Sequence, residues 1–433
     1  MKRYILRIFL IMVLFVAMCV PATISVYAKS SKVNVDLPFE EEGTLKGADY
    51  RISVPEEWNG TLLVYAHGYS DVMLPPPVQI APGSGPTSAE GLLLANGYAL
   101  AGSAFSSSDW AIREGIENTK DLTNYFKRKV GKPEHVIVWG TSLGTGVSLT
   151  CIEKYPGIFD GAVSEGGPIA GLPMQADYGL AFCLAYDMVF DWPEERWGPL
   201  GDLRDDIDVM DVMGTIGAQW GNLANYAKWE FIRLVVDYPA EALWALPPWQ
   251  FGMPWPFVSF WFFTTETAKL EQKANGPVMQ NLDHVYSLTQ DKINYLDPLL
   301  LPFEMDAASL LADMNDSTTI EASNPARNYL ERYFEFSGKI KGPVITIHNI
   351  LDPLCNVANT GVYRDTVEAA GKDNLLFQVY DESLGHCLFE PEQYLFTIEA
   401  MKDWLEGTDP STKDWDSEDF LTSPPYEPPP WPF

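Results

Sequence analysis

The sequence is poor in basic residues, and this shortage limits the partners that the protein can bind. Its 433 residues include 29 Lys and Arg against 59 Asp and Glu, which gives a formal net charge of −30. This excess of negative charge argues against binding to nucleic acid and against electrostatic docking on anionic membranes. We therefore expect no nucleic-acid partner and no stable membrane partner. The acidity suits a secreted, soluble protein, although a saline habitat would select for the same charge.

Long apolar runs are also scarce, and the clearest one lies near the N-terminus. A basic start leads into the apolar stretch 8–20, and residues 26–28 are compact enough for cleavage. This pattern predicts a secretory signal peptide over residues 1–28. The alternative is an uncleaved N-terminal membrane anchor. Both interpretations place the rest of the chain outside the cytoplasm, and a signal peptide predicts a secreted, extracellular protein.

Cysteine is rare, which rules out a small domain held together by disulfides. Of the five cysteines, Cys19 lies in the predicted signal peptide, so that Cys151, Cys183, Cys355 and Cys387 remain. An even number in an oxidising compartment permits disulfides, and our preferred pair is Cys355 with Cys387. The alternative is four buried free thiols, because a chain of this length can build its core without disulfides.

Strand and helix patterns alternate over most of the chain. The predicted strands cover residues 61–65, 98–101, 136–139, 162–165, 344–348 and 375–379, and helical patterns separate most of them. Regular alternation of helices with nearly continuous apolar strands indicates a mostly parallel sheet with helices on both faces. The sequence therefore predicts the α/β class.

The alternation is interrupted once, over residues 168–340. Helical patterns at 207–216, 223–235, 274–295 and 322–336 predict a mainly α-helical cap in this interval. The core would then comprise residues 29–167 and 341–407. Residues 408–433 form an acidic, Pro-rich tail that we expect to be extended or disordered, with a surface strap or a partner contact as alternatives.

The cap contains one stretch, residues 244–263, that is dense in aromatic side chains. Its length matches a membrane span, but its four prolines argue against a spanning helix. We predict a loop and a short helix that line a cleft. The candidate substrate-binding residues are Trp249, Trp255, Phe257 and Trp261. The alternative is that these side chains form the ordinary core of the cap.

A candidate nucleophile follows the apolar run 136–139. Residues 140–144 read Gly-Thr-Ser-Leu-Gly and match the G-x-S-x-G nucleophile elbow. Glycines flank the serine in this motif because a side chain there would collide with the neighbouring strand and helix. The strand before the motif and the helical pattern after it predict Ser142 as the nucleophile.

A serine nucleophile needs a base, and the chain has only five histidines. His135 lies at the far end of the strand that leads to the serine, and His284 lies in a predicted cap helix. His67 and His348 close strands and are tied to the backbone there. His386 remains, on a loop between the last strand and the last helix, and we predict it as the base, with His348 as the alternative.

The base needs a carboxylate that orients it. Asp352 follows the strand before the last one, in a turn made by Pro353, and is our candidate. Asp381 and Glu382 are the alternatives, since they lie close to the candidate histidine in the sequence.

The oxyanion of an acyl-transfer reaction needs backbone donors. The N–H of Leu143, directly after the serine, is one candidate. The second is the N–H of Tyr69, because Gly68 before it permits a close approach of the backbone.

Four features occur in the order that is typical of one superfamily: His67-Gly68, the motif at 140–144, Asp352 and Gly385-His386. In this the chain resembles the α/β-hydrolase superfamily, in the branch of secreted serine esterases and polyester hydrolases with an inserted cap. The resemblance implies the α/β-hydrolase fold, a mostly parallel central sheet with helices on both faces and a large helical cap insertion. It implies the following roles: Ser142 as nucleophile, His386 as base, Asp352 as its orienting acid, and Tyr69 and Leu143 as oxyanion donors.

The function expected from these residues is hydrolysis of carboxylic esters through an acyl-enzyme, with no metal or cofactor required. Aromatic cap residues offer stacking surfaces for flat or apolar acyl groups, which favours short-chain or aromatic esters, as small molecules or polymers. The alternatives are an interfacially activated lipase, a serine peptidase, and a catalytically inert secreted binding protein on the same fold.

Overall fold

The computed structural model of the chain describes residues 33–70, 78–204, 207–246, 250–317, 319–422 and 425–433. The predicted signal peptide, residues 1–28, and the candidate substrate-binding residue Trp249 lie outside these ranges.

The core is built on a single sheet of eight strands within the described ranges. The strands are β1 (Phe39–Leu45), β2 (Ala48–Val54), β3 (Thr61–Ala66), β4 (Ala99–Ser103), β5 (His135–Thr141), β6 (Gly161–Glu165), β7 (Val344–Asn349) and β8 (Leu376–Asp381). Their order is β1-β2-β4-β3-β5-β6-β7-β8. Strand β2 runs antiparallel to β1 and β4, and the other neighbours pair in parallel.

This strand order, with a sharp strand-to-helix turn after β5, is the α/β-hydrolase fold, and the predicted fold class is confirmed. All residues of β3, β6 and β7 are buried. Their sequences are nearly continuous apolar runs because helices cover both faces of the sheet.

The described helices flank the sheet and fill the interval between β6 and β7. They are α1 (Ala89–Ala95), α2 (Ile112–Lys129), α3 (Leu143–Lys154), α4 (Leu172–Phe190), α5 (Glu194–Trp197), α6 (Val209–Trp220), α7 (Tyr226–Val235), α8 (Ala240–Leu243), α9 (Trp255–Trp261), α10 (Thr267–Ala274), α11 (Gln290–Leu300), α12 (Ala307–Asp316), α13 (Asn324–Phe334), α14 (Ala358–Ala369) and α15 (Pro391–Leu405). Short 3₁₀ turns cover Leu223–Asn225, Leu301–Phe303, Asp373–Leu375, Pro410–Thr412 and Trp415–Glu418. Helices α2, α3 and α14 pack on one face of the sheet, and α1 and α15 pack on the other.

The interval between β6 and β7 is mainly helical and carries α4 to α13. Helices α9 and α10 are joined without a break by a π-helix, Phe262–Glu266. No helix in the described ranges is long and apolar enough to cross a membrane.

One predicted cap helix, over residues 274–295, is wrong for most of its length. Helix α10 ends at Ala274. The next residue, Asn275, adopts the left-handed conformation with φ 61°, and Gly276-Pro277 follows. Regular helix resumes only at Gln290, so His284 lies on a connecting loop. The left-handed residue followed by Gly-Pro ends the helix, although the apolar pattern continues.

Residues 425–433, which we call the strap, run along the surface from the core to the cap. Tyr426 packs against Tyr380 of β8, with ring centroids 4.8 Å apart. Phe433 stacks on Tyr178 of α4 at 6.2 Å. The strap has no helix or strand of its own and is held by aromatic contacts at both ends.

Candidate active site

Ser142 lies at the turn between β5 and α3, in a backbone conformation that L-residues rarely adopt. Its φ and ψ are 54° and −122°. A Cβ added at Gly144 would lie 2.0 Å from the carbonyl oxygen of Ala66, and one added at Gly140 would lie 2.3 Å from that of Gly144. The two glycines of the motif are therefore required by close backbone packing, and the strained turn holds the serine hydroxyl above the end of β5.

The three predicted triad residues are in direct contact, although they come from three separate segments. His386 Nε2 lies 2.8 Å from Ser142 Oγ, and His386 Nδ1 lies 2.8 Å from Asp352 Oδ2. These distances fit a hydrogen-bonded chain in which Nδ1–H donates to the carboxylate and the serine hydroxyl donates to Nε2. Asp352 and His386 are buried.

Asp352 is fixed by the turn in which it lies. Its Oδ1 accepts hydrogen bonds from the backbone N–H groups of Leu354 at 2.8 Å and Cys355 at 3.0 Å. Oδ2 is left to face the histidine. The turn therefore orients the carboxylate independently of its contact with His386.

Burial and charge have opposite effects on the pKa of His386. Burial disfavours the imidazolium, but Asp352, through its charge and its hydrogen bond, and the neighbouring Cys387 together outweigh burial and raise the pKa of His386 well above its ordinary value. An imidazolium at this position would therefore be stabilised by the carboxylate beside it.

The alternative triad members have other partners. His348 Nε2 lies 2.8 Å from the carbonyl of Cys355, and burial lowers the pKa of this histidine. Asp381 accepts hydrogen bonds from the amides of Asn349 and Gln393. His348 Nε2 also lies 3.9 Å from Asp352 Oδ2, but the histidine that hydrogen-bonds with Ser142 Oγ in the described ranges is His386.

The two predicted oxyanion donors flank Ser142. A Cβ added at Gly68 would lie 3.1 Å from Ser142 Cβ, so the backbone before Tyr69 passes directly beside the serine. The His67 ring supports this loop by donating from Nδ1 to the carbonyl of Gly68 at 2.7 Å. Leu143 is the first residue of α3, where N–H groups have no partner within the helix. Tyr69 and Leu143 both line the cavity beside the serine.

A small apolar cavity opens beside Ser142. Its volume is about 50 Å³, which by this measure leaves room for only a few water molecules. Tyr69, Trp110 and Phe262 form one wall, and these rings pack edge-on against one another at 5.4, 5.3 and 6.5 Å. The cavity wall beside the serine is therefore largely apolar and aromatic.

The π-helix accounts for an aromatic pair that the sequence patterns did not reveal. Phe262 and Phe263 are consecutive, and both line the cavity. The π-helix turn adds a residue to the helix and changes which side chains face the serine, and such turns occur frequently at functional sites. No helical periodicity in the sequence indicates this shift.

The described substrate-binding candidates lie in the cap and not along the wall of the cavity. Among the described residues, those that line the cavity do not include Trp255, Phe257 or Trp261. Trp255 is buried in the cap, and Phe257 packs against Trp220 at 5.8 Å. Among the described residues of the aromatic stretch, several are buried in the cap, Leu246 and Phe251 are exposed, and the last two, Phe262 and Phe263, line the cavity.

The predicted disulfide is wrong. Cys355 and Cys387 are free thiols, as are Cys151 and Cys183. The Sγ of Cys387 points to the end of β6, 3.3 Å from the carbonyl of Glu165, whereas Cys355 lines the cavity. Cys387 Sγ also lies 3.7 Å from His386 Nε2, and Cys355 Sγ lies within 4.8 Å of the same imidazole, so both thiols border the histidine without bonding to each other. Burial raises the pKa of each thiol.

One set of side chains in the described ranges has ligand atoms close enough for a metal ion. Asp352, Cys355 and His386 offer atoms within 4.8 Å of one another. The carboxylate and the imidazole are already hydrogen-bonded to each other, so an ion bound there would displace the contact that orients the histidine.

Glu165, at the end of β6, is a buried carboxyl that the sequence patterns did not single out. Its carbonyl accepts a hydrogen bond from the N–H of Ser142 at 3.0 Å. Neither carboxyl oxygen has a hydrogen-bond partner among the described residues, and burial raises the pKa of Glu165 well above its ordinary value. The backbone of the elbow is thus hydrogen-bonded to a strand end that carries a carboxyl whose neutral form is favoured by burial.

Several known proteins are similar to this chain in sequence or in structure. No family model matches the sequence. A relative, the o-phthalyl amidase of Xanthobacter agilis, is 25% identical over 418 residues, which cover 86% of this chain and 89% of the amidase. Among solved structures, the acylaminoacyl peptidase of Pyrococcus horikoshii matches with 12% identity and a TM-score of 0.41, over 88% of this chain and 43% of the peptidase. The esterase LipA of Xanthomonas oryzae matches with 13% identity and a TM-score of 0.41, over 83% of this chain and 86% of the esterase. TM-scores this low do not establish a fold, and the fold of this chain rests on its own strand order and elbow.

Proposed function

We propose that the protein is a serine hydrolase that cleaves a carboxylic ester through an acyl-enzyme. The observation that carries this proposal is the continuous contact from Ser142 Oγ to His386 to Asp352, with both distances at 2.8 Å. Serine alone is a weak nucleophile, and a histidine oriented by a carboxylate is the arrangement that activates it.

The proposed reaction begins when Ser142 Oγ attacks the ester carbonyl and its proton passes to His386 Nε2. Asp352 stabilises the imidazolium that forms, and the N–H groups of Tyr69 and Leu143 stabilise the oxyanion. The imidazolium then protonates the leaving alcohol. A water molecule, activated by the same histidine, releases the acid from the serine. The chemistry is supplied by side chains and backbone amides and requires no metal or cofactor.

The cavity favours esters with a short or aromatic acyl group. Its small volume favours a short acyl group. Its walls include several aromatic rings that would contact an aromatic acyl group at its edge or face, for which the cavity must widen. Small-molecule esters of this kind are therefore our proposed substrates, and the ends of an aromatic polyester carry the same group. From the N-terminal sequence pattern we propose that the reaction takes place outside the cell.

Amide hydrolysis is the second candidate, and one comparison favours it. The relative from Xanthobacter agilis is an o-phthalyl amidase, and it matches over most of both chains. The proposed triad attacks esters and amides by the same steps. A pair of substrates with one acyl group, p-nitrophenyl benzoate and benzoyl p-nitroanilide, compares the two activities directly. Faster turnover of the anilide than of the ester would make the amidase the better assignment.

Labelling with a fluorophosphonate probe tests the proposed nucleophile. We expect the wild-type protein to be labelled and to hydrolyse p-nitrophenyl acetate, and Ser142→Ala to lose both properties. Ser148→Ala is the matched control, since Ser148 lies on α3, the helix that follows Ser142, and its hydroxyl hydrogen-bonds with that of Ser164 at 2.8 Å. Full hydrolysis by Ser142→Ala, or a wild-type protein that neither reacts nor hydrolyses, would contradict the proposal.

A further inference from the structure

Within the described ranges, the hydrogen bonds between the cap and the main chain of His386 come from one side chain, that of Gln250. Gln250 Oε1 accepts a hydrogen bond from the N–H of His386 at 3.0 Å, and Gln250 Nε2 donates to the carbonyl of His386 at 2.8 Å. Both ends of one carboxamide therefore bind both backbone groups of the same residue. This pairing fixes the plane of the peptide groups next to the imidazole as well as their position.

The loop that carries His386 is shaped to receive this amide. Gly385 has φ 154°, and a Cβ added to it would lie 2.4 Å from Gln250 Oε1. Any residue other than glycine would push the amide away from the N–H of His386. Cys387, on the other side of the histidine, has φ 52°, so the loop adopts the left-handed region on both sides of His386.

Gln250 is itself anchored by the aromatic part of the cap. Phe251, the next residue, packs edge-on against Trp255 at 5.4 Å, and Trp255 is buried at the start of α9. Helix α9 continues through the π-helix that carries Phe262 and Phe263. The same continuous segment thus forms a wall of the cavity and holds the histidine.

We propose that Gln250 is a positioning residue through which the docked cap holds His386 in line with Ser142 and Asp352. A histidine on a loop can move away from the serine, and the two backbone hydrogen bonds oppose that motion. Docking of Gln250 on the core therefore favours the position in which the imidazole contacts Ser142 and Asp352. This inference rests on the proposed function, because it assumes that His386 acts as the base.

Replacement of Gln250 by alanine removes both hydrogen bonds and keeps the backbone. We expect kcat to fall by about tenfold, which is the size expected from loss of two ordinary hydrogen bonds. KM should change little, since the side chain does not line the cavity. The loss should be the same for p-nitrophenyl acetate and p-nitrophenyl benzoate, because every substrate uses the same base.

The variant Gln250→Glu separates positioning from packing. It preserves the acceptor for the N–H of His386, removes the donor to the carbonyl, and adds a negative charge near the imidazole. We expect an intermediate kcat and a shift of the acidic limb of the pH–rate profile to higher pH. Alanine at the same position lacks the charge and should not produce that upward shift.

The matched control is Gln272→Ala. Gln272 is an exposed glutamine of the cap, and its Nε2 donates to the carbonyl of Arg204, which also lies in the cap. The substitution Gln272→Ala therefore removes a similar hydrogen bond, but one that lies within the cap and does not join the cap to the core. We expect wild-type kcat and an unchanged pH profile.

Three outcomes would overturn the inference: a kcat of Gln250→Ala within twofold of wild type, a loss that depends strongly on the acyl group, or an equal loss in Gln272→Ala. Failure of the proposed function is recognised separately, by full activity of Ser142→Ala. An active, Ser142-dependent enzyme that is insensitive to Gln250→Ala would contradict the positioning role alone.

Discussion

Replacement of Asp352 by asparagine gives a demanding test of the triad, because the structure predicts that it changes the chemistry and leaves the fold intact. The side-chain oxygen that accepts from the N–H groups of Leu354 and Cys355 is retained in asparagine. The second oxygen, 2.8 Å from His386 Nδ1, becomes an NH₂ group. That group donates to Nδ1, so the imidazole proton must move to Nε2, where it faces Ser142.

The expected loss is large because the histidine is held in the wrong tautomer. In serine proteases the same change reduces kcat by about 10⁴, and we expect a loss of that order here. At about 1.36 kcal/mol per factor of ten, this corresponds to about 5.4 kcal/mol of transition-state stabilisation. The melting temperature should change little, since both backbone hydrogen bonds to Oδ1 are kept.

The assay is kcat/KM for p-nitrophenyl acetate, with a thermal melt of each variant. Asp381→Asn is the matched control, because Asp381 ends the neighbouring strand β8 and is the alternative acid in the sequence. It binds Asn349 and Gln393 and should keep most of the activity. The reasoning is refuted if Asp352→Asn keeps activity within tenfold of wild type, or if Asp381→Asn loses as much.

Three further predictions concern titration and stability. Because Asp352 raises the pKa of His386, kcat/KM should rise with pH as the imidazole loses its proton, with an inflection above 6.5; an inflection below that value in the pH–rate profile would be inconsistent. Burial raises the pKa of Glu165, so its contribution to stability is fully present below the ordinary value of 4.5 and is lost as pH rises through the folded-state pKa. Glu165→Gln should therefore raise the melting temperature more at pH 8 than at pH 4. A difference between variant and wild type that does not grow with pH would contradict this. Arg327 binds both carboxylate oxygens of buried Asp177, so Arg327→Ala should lose about 3–5 kcal/mol in urea unfolding, and a loss below about 1 kcal/mol would show that the pair contributes little.

The core of the fold could be predicted because each local signal agrees with the whole. Strand β5 is an apolar run that ends in the elbow motif, and the same motif requires a helix to follow. The glycines report close packing directly, since no side chain fits at Gly140 or Gly144. Histidine scarcity then left few candidates for the base, and the geometry brings His386 to the serine.

The cap could be predicted only in outline, because its details depend on contacts between distant residues. The sequence shows that Trp255 and Phe257 are apolar, but not which of several apolar surfaces they cover. The π-helix inserts one residue and turns Phe262 and Phe263 to the cavity. The helical periodicity of the sequence does not predict this insertion. The disulfide failed for a similar reason: two cysteines near the same site need not point toward each other.

The strap has a practical consequence for protein engineering. Caps of enzymes with this architecture are attractive units for exchange, since the insertion enters and leaves the core between two adjacent strands. Here Phe433 stacks on Tyr178 of the cap and Tyr426 packs on Tyr380 of the core. A chimera that imports a foreign cap at that junction would leave one end of the strap without its docking ring. Cap and strap therefore form one module, and a donor cap should be transplanted with a redesigned segment at residues 425–433.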